Sequence, residues 1–210
     1  MPLTELFKAG SSVGALWHLS EHEEELLAML NGKEQIPPSI TNAAKRLEWA
    51  GARLLTSMLV AESGFDYRGI EKDPYGKPSP TGCPLFLSLS HSYPYVAAIV
   101  DPHFAVGIDL EQPKPKLLRV ASRILSAKEL SDAGDDVVKH CIYWCAKEVL
   151  IKIHGKKDLL LAENLQINAF TRQVTGDIIG KILVPHDQRV LNLRYRVTDQ
   201  YVLVFNITPN

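Results

Sequence analysis

Val106-Gly107-Ile108-Asp109-Leu110-Glu111 sets two carboxylates two residues apart in an otherwise apolar run. Side chains alternate along a strand, so Asp109 and Glu111 share one face while Ile108 and Leu110 share the other. Both acids can then point at one cation. Further along, Trp144-Cys145-Ala146-Lys147-Glu148 followed by Lys152 reads as helix. At about 100° per residue, Glu148 and Lys152 lie on one face with Lys147 on their flank. If the fold brings the two segments together, Asp109, Glu111 and Glu148 make an all-oxygen site beside two ammonium groups. Such a site suits a hard ion such as Mg²⁺ holding a phosphate-bearing substrate. Each block also has a plainer reading by itself. Asp109 and Glu111 could line the solvated outer face of an antiparallel sheet, and Lys147 and Glu148 could face water on an amphipathic helix. The apolar neighbours and Gly107 give the first block the look of a buried strand end.

Working outward, Ser20-Glu21-His22-Glu23 reads as a capping box opening a short helix that stops near Gly32. Pro37-Pro38 marks a linker, and an amphipathic helix follows from about Thr41 to Gly64. Asp73 to Pro84, rich in proline and glycine, is a loop. Strand-like runs are Leu85–Leu89, Tyr95–Val100 and Ala105–Leu110. Ser126-Ala127-Lys128-Glu129 is a second capping box, and a helix from about Asp135 to His154 ends at Gly155. The runs Leu165–Phe170, Ile178–Val184, Val190–Val197 and Tyr201–Ile207 complete the strands. Each half thus reads as a long helix followed by several strands. The expectation is an α+β fold of two similar lobes, 1–103 and 104–210, each a long helix on a small, mostly antiparallel sheet.

Composition narrows the function classes. At 210 residues the chain can bury a real core. A net charge of −1 argues against a general nucleic-acid binder or a membrane-surface protein. The first thirty residues carry Glu21, Glu23, Glu24 and Glu25 and have no secretory-signal pattern. The long uncharged run from Pro84 to Val100 is broken by serines, His91 and Pro94, so it is not a membrane span. Three cysteines without scaffold spacing suit a reducing cytoplasm. Cys141 and Cys145, one helical turn apart beside His140, fall short of a zinc ligand set and read as small core residues.

The pattern Gly107-Ile108-Asp109-Leu110-Glu111, then Trp144 through Lys147-Glu148 to Lys152, resembles the 4′-phosphopantetheinyl transferases. Two weaker blocks stand in the same order as in that family: Tyr75-Gly76-Lys77-Pro78 and Leu87-Ser88-Leu89-Ser90-His91-Ser92. The resemblance runs from about Arg46 to Lys157. It implies an enzyme of the holo-[acyl-carrier-protein] synthase kind, moving the phosphopantetheine arm of coenzyme A onto a carrier-protein serine. The length resembles the single-chain, surfactin-synthetase-activating type, which is a pseudo-dimer of two lobes related by a pseudo-two-fold with coenzyme A lying between them. A monomer is implied.

The resemblance also assigns roles. Asp109, Glu111 and Glu148 would hold Mg²⁺, and Glu148 would help remove the serine proton, directly or through a metal-bound water. Lys147 and Lys152 would meet the coenzyme phosphates. His91, with Ser90 nearby, would contact a phosphate, Lys77 the nucleotide, and Arg46 the 3′-phosphate. Arg53 and Lys33 compete with Arg46 for that role. Glu129 matches an acidic family position, although it is also the third residue of a capping box. Two other readings stand beside transfer: a coenzyme A-binding protein without transferase activity, and a Mg²⁺-dependent phosphohydrolase using the same three carboxylates.

Overall fold

A computed structural model describes residues 3–156 and 159–209, so Lys157, the far end of the matched blocks, lies outside the described residues. The fold is α+β. The chain forms two compact units, Met1–Val106 with Pro209–Asn210, and Gly107–Thr208.

The first unit opens with a hairpin that the strand signals above did not include. Strands β1 (Leu3–Ala9) and β2 (Ser12–His18) flank the two-residue turn Gly10-Ser11. Gly10 takes φ 71° there, a conformation that glycine adopts without steric cost. Helix α1 (Glu23–Leu30) follows. Its box lies two residues later than the sequence suggests, with Glu25 reaching back to the His22 amide at 2.8 Å. The Ser20 amide donates instead to the Glu21 carboxylate.

Helix α2 (Ala43–Glu62) starts at Asn42, whose side chain accepts the Lys45 amide. Strands β3 (Ile70–Lys72) and β4 (Pro78–Pro80) form a small ribbon that presents the Asp73–Lys77 turn. Strands β5 (Phe86–Ser92) and β6 (Tyr95–Asp101) complete a four-stranded antiparallel sheet ordered β1-β2-β6-β5. Its core joins Ala52, Leu55 and Leu59 of α2 to Trp17, Leu87, Val96 and Val100 of the sheet. Leu87, Leu89 and His91 alternate along β5 and so share the face that α2 covers.

The second unit is built on a five-stranded antiparallel sheet. It holds β7 (Ile108–Glu111), β8 (Leu165–Ile167), β9 (Thr175–Val184), β10 (Asp187–Val197) and β11 (Val202–Asn206), in the order β7-β11-β10-β9-β8. Between β7 and β8 come α3 (Lys116–Val120), one 3₁₀ turn at Ala121–Arg123, α4 (Ala127–Ala133), α5 (Val137–His154) and α6 (Leu161–Asn164). Ser126 and Glu129 close the expected capping box on α4. Asp136 caps α5 through the Val138 and Lys139 amides, and Gly155 ends it at φ 81°.

Helix α5 packs along β7, β11, β9 and β8, with Ile142, Val149, Leu150 and Ile153 buried. Gly107 lets helix and strand approach closely: a Cβ there would lie 2.5 Å from the Val149 carbonyl oxygen. Only a residue without a side chain permits that contact. The strand β7 starts at Ile108, three residues later than the alternation suggests, because Gly107 is given over to this contact and to Asn206. The Gly107 amide donates to the Asn206 side chain at 2.8 Å, and the Asn206 amide donates to the Gly107 carbonyl at 3.2 Å.

Candidate active site

The two sequence blocks meet in the second unit. Asp109 lies in β7 opposite Val204 of β11 and is 7 % exposed. It follows Gly107 at the i+2 position, so it shares the face that the close approach of α5 covers. Lys152, on the last turn of α5, places its ammonium 2.7 Å from Asp109 Oδ1 and 2.7 Å from the Ile108 carbonyl oxygen. Glu148 stands one helical turn before Lys152. Burial raises its proton affinity above the usual carboxylate range, and the neighbouring Asp109 charge adds to this, while Lys152 opposes it. The expected trio of Asp109, Glu148 and Lys152 is therefore assembled.

Glu111 is placed differently. It shares the Asp109 face of β7, but its carboxylate accepts the Gln112 amide at 2.9 Å. Among the described residues no three His, Cys, Asp or Glu side chains are drawn together as a metal cage. The residues nevertheless fit a hard cation in one respect. Asp109 and Glu148 set two carboxylates against each other beside Lys152, and a divalent ion would relieve that repulsion.

Lys147 has no outward role in this arrangement. Its ammonium, 1 % exposed, donates to the Ile124 carbonyl at 2.7 Å and the Leu161 carbonyl at 3.0 Å, and pairs with Glu129 at 2.7 Å. An ammonium has three N–H groups, and all three are used. Glu129 is equally engaged: it accepts the Ser126 amide at 2.7 Å and the Ile167 amide at 2.8 Å. Lys147 and Glu129 thus join α5 to α4 and β8, where the resemblance implied a phosphate contact for Lys147 and an acidic family position at Glu129. The physical reason is helical phase: Lys147 is turned into the core, while Glu148 and Lys152 face β7.

Trp144 lines a small apolar pocket with Leu117, Ile124 and Leu125. Cys141 and Cys145 are buried and free. Burial, then Cys141 and Asp109 beside it, push the Cys145 thiol well above its ordinary range, so it stays a neutral packing group.

The first unit carries the other sequence-derived residues. His91 lies within β5 rather than in a loop after it, and strand alternation puts its side chain on the opposite face from Ser90. The His91 Nδ1 is 3.2 Å from Glu48 Oε2. Glu48, a carboxylate on the buried face of α2, was not among the sequence candidates. The available signal was an acid in helical phase with Ala52, Leu55 and Leu59. Lys77 sits in the turn where its amide donates to the Asp73 side chain at 2.8 Å.

Arg46 is held by Glu23, with Nε to Oε2 at 2.6 Å and Nη2 to Oε1 at 2.5 Å, and it also donates to the Ile40 carbonyl. Arg53 pairs with Glu34 at 3.0 Å and lies 3.6 Å over the Trp49 ring. Both guanidiniums thus rest on carboxylates. Lys33 follows α1 at an exposed position.

The chain matches the family model of the 4′-phosphopantetheinyl transferase superfamily over residues 105–204. It is 28 % identical over 164 residues to a 4′-phosphopantetheinyl transferase of Bacillus subtilis, covering 73 % of this chain and 70 % of that protein. It is 38 % identical over 121 residues to the 4′-phosphopantetheinyl transferase psf-1 of Bacillus pumilus, covering 55 % of this chain and 49 % of that one. The match therefore spans about half the length of the second relative.

Proposed function

We propose that this protein transfers the 4′-phosphopantetheine group of coenzyme A to a serine of an acyl or peptidyl carrier protein. The observation that carries this reading is the half-buried Glu148 beside Asp109, with Lys152 bridging to Asp109 at 2.7 Å. In this reading Glu148 takes the proton of the serine hydroxyl. The serine oxygen bonds to the β-phosphorus of coenzyme A, and the bond from that phosphorus to the bridging oxygen breaks. Adenosine 3′,5′-bisphosphate leaves with the electron pair. Lys152 offsets charge gathering on the pyrophosphate, and His91 offers a ring nitrogen to phosphate.

Asp109 and Glu148 would hold Mg²⁺, with Glu111 able to join them by leaving the Gln112 amide. When bound, the ion supplies positive charge to the phosphoryl oxygens. Lys147 takes a framework role here, because every N–H of its ammonium is used internally. Arg46 is assigned to the 3′-phosphate, for which Glu23 now stands in, and Lys77 to the nucleotide.

The carrier assignment is supported by charge. Lys114, Lys116, Arg119, Arg123 and Lys128 are all exposed on the segment that follows β7, which has no acid between Gln112 and Lys128. Leu118, 38 % exposed, lies among them. Carrier proteins are generally acidic, and such a patch would steer and orient one. The same reading makes the protein a cytoplasmic monomer. Among the described residues no helix is long and apolar enough to cross a membrane.

The test is the intact mass of a purified apo-carrier protein after incubation with this protein, coenzyme A and Mg²⁺. A gain of one phosphopantetheine, absent with Asp109→Ala, supports transfer. Hydrolysis of coenzyme A without a carrier would point to a phosphohydrolase instead. Binding of coenzyme A with no mass gain on any carrier would leave a binding protein.

A further inference from the structure

Glu48 is an anomaly of the first unit: a carboxylate 2 % exposed on the face of α2 that otherwise packs Ala52, Leu55 and Leu59 against the sheet. Buried charges persist when they are paired and hydrogen-bonded. Glu48 is both. Its Oε1 accepts the Tyr93 amide at 3.0 Å, and its Oε2 takes the Lys45 ammonium at 2.6 Å and His91 Nδ1 at 3.2 Å. Burial would raise its proton affinity, but the hydrogen bonds from His91 and Lys45 prevail and bring it down to about 2. The group is an anion under all ordinary conditions, so toward His91 it can only accept.

That fixes the imidazole. With a permanent acceptor at Nδ1, the proton of a neutral ring stays on Nδ1, and Nε2 on the far edge is the nitrogen left for a ligand. The ring sits at the end of the Leu87-Leu89-His91 row and is 44 % exposed. We propose that Glu48 is a positioning residue that acts through His91, holding Nδ1 as donor to the carboxylate so that the Nε2–H of the protonated ring donates to an anionic ligand. That the ligand is a phosphate of coenzyme A rests on the function proposed above.

An isosteric change shows how the device works. Glu48→Gln keeps the shape but leaves one acceptor oxygen for three donors, of which the exposed Lys45 can turn to solvent. The Tyr93 amide cannot move its proton, so the Gln oxygen settles on it and the Gln amino group faces the ring. Nδ1 must then accept, the proton of the neutral ring moves to Nε2, and the charge-assisted donor to the ligand is lost.

The experiment has two arms. In the first, long-range ¹H–¹⁵N spectra of the ligand-free protein are recorded at a pH where the ring is neutral, with the His91 signals identified by their loss in His91→Ala. The wild-type ring is expected as the Nδ1–H tautomer, and Glu48→Gln should shift it toward Nε2–H. A wild-type ring already protonated at Nε2 overturns the proposal, and needs no variant to be seen.

In the second arm, Glu48→Gln is made in the wild-type and His91→Ala backgrounds and the KM for coenzyme A is measured. The KM should rise about tenfold in the first and stay nearly unchanged in the second, the non-additivity of residues acting as one unit. Equal rises in both would make Glu48 a purely structural group and overturn the proposal. If the wild type transfers nothing to any carrier, the proposed function has failed, and the spectra alone judge Glu48.

Discussion

The Lys147 ammonium lies 2.7 Å from the Glu129 carboxylate, and neither side chain is more than 3 % exposed. The pair is closed: three acceptors for the lysine, and two backbone amides besides the lysine for the glutamate. Burial lowers the proton affinity of Lys147, and Glu129 opposes that shift. Lys147→Met would leave the Glu129 charge and two carbonyls uncompensated. It should cost about 3 kcal/mol of stability. Urea unfolding checks this, and transfer per folded molecule should fall far less than it does in Lys152→Met.

Gly107→Ala tests the approach of α5 to β7. The added methyl meets the Val149 carbonyl oxygen at 2.5 Å, and that oxygen belongs to the helix backbone and cannot swing aside. The variant should lose about 1–3 kcal/mol. It should also lose transfer activity while still folded, because any retreat of the helix carries Glu148 and Lys152 away from Asp109.

Glu148 separates stability from activity. Its folded-state proton affinity is raised by burial and by Asp109, so its ionised form is disfavoured in the fold. A raised carboxylate contributes stability below its unfolded value near 4.5, and loses it as the pH rises through the folded value. In the presence of a chelator, wild-type Tm should therefore fall relative to Glu148→Gln as the pH rises from 4.5 toward neutrality. The same variant should be inactive in transfer. Parallel Tm profiles would show that Glu148 carries no such penalty.

Arg46 and Glu23 predict opposite changes in coenzyme affinity. Arg46→Ala should weaken coenzyme A about tenfold while sparing dephospho-coenzyme A, since a charge-assisted contact is lost only where the 3′-phosphate exists. Glu23→Gln removes the carboxylate that occupies the guanidinium and should tighten coenzyme A. Calorimetry with both ligands measures each; equal losses for the two ligands would remove Arg46 from the 3′-phosphate.

What could be read from the sequence depended on whether a residue's local pattern agreed with its final contacts. Helices α2 and α5 were legible because a helical apolar period marked them and Gly155 marked the end of α5. Asp109, Glu148 and Lys152 were legible because strand and helix periods each placed them on one face. Lys147 was not, since one position along a helix separates a lysine facing β7 from one turned into the core, and only packing decides between them. Glu48 escaped for the opposite reason: an acid in an apolar stripe looks like a surface residue until a histidine from a distant strand is found against it. The first hairpin was missed because its only strong signal is Gly10-Ser11, two residues that also suit a loop.

Strand β7 has one neighbour in its sheet, and that neighbour is β11. Asp109 is registered against Val204, and Asn206 clasps Gly107 at the strand's beginning. The Asp109 carboxylate is thus kept in place by residues synthesised long after it. A nascent polypeptide still lacking Val202–Asn206 has made every charged group of the acid pair, yet has nothing to anchor the strand that presents one of them. Premature termination or clipping in that short stretch would silence the protein as completely as loss of Asp109 itself, leaving the catalytic side chains chemically intact.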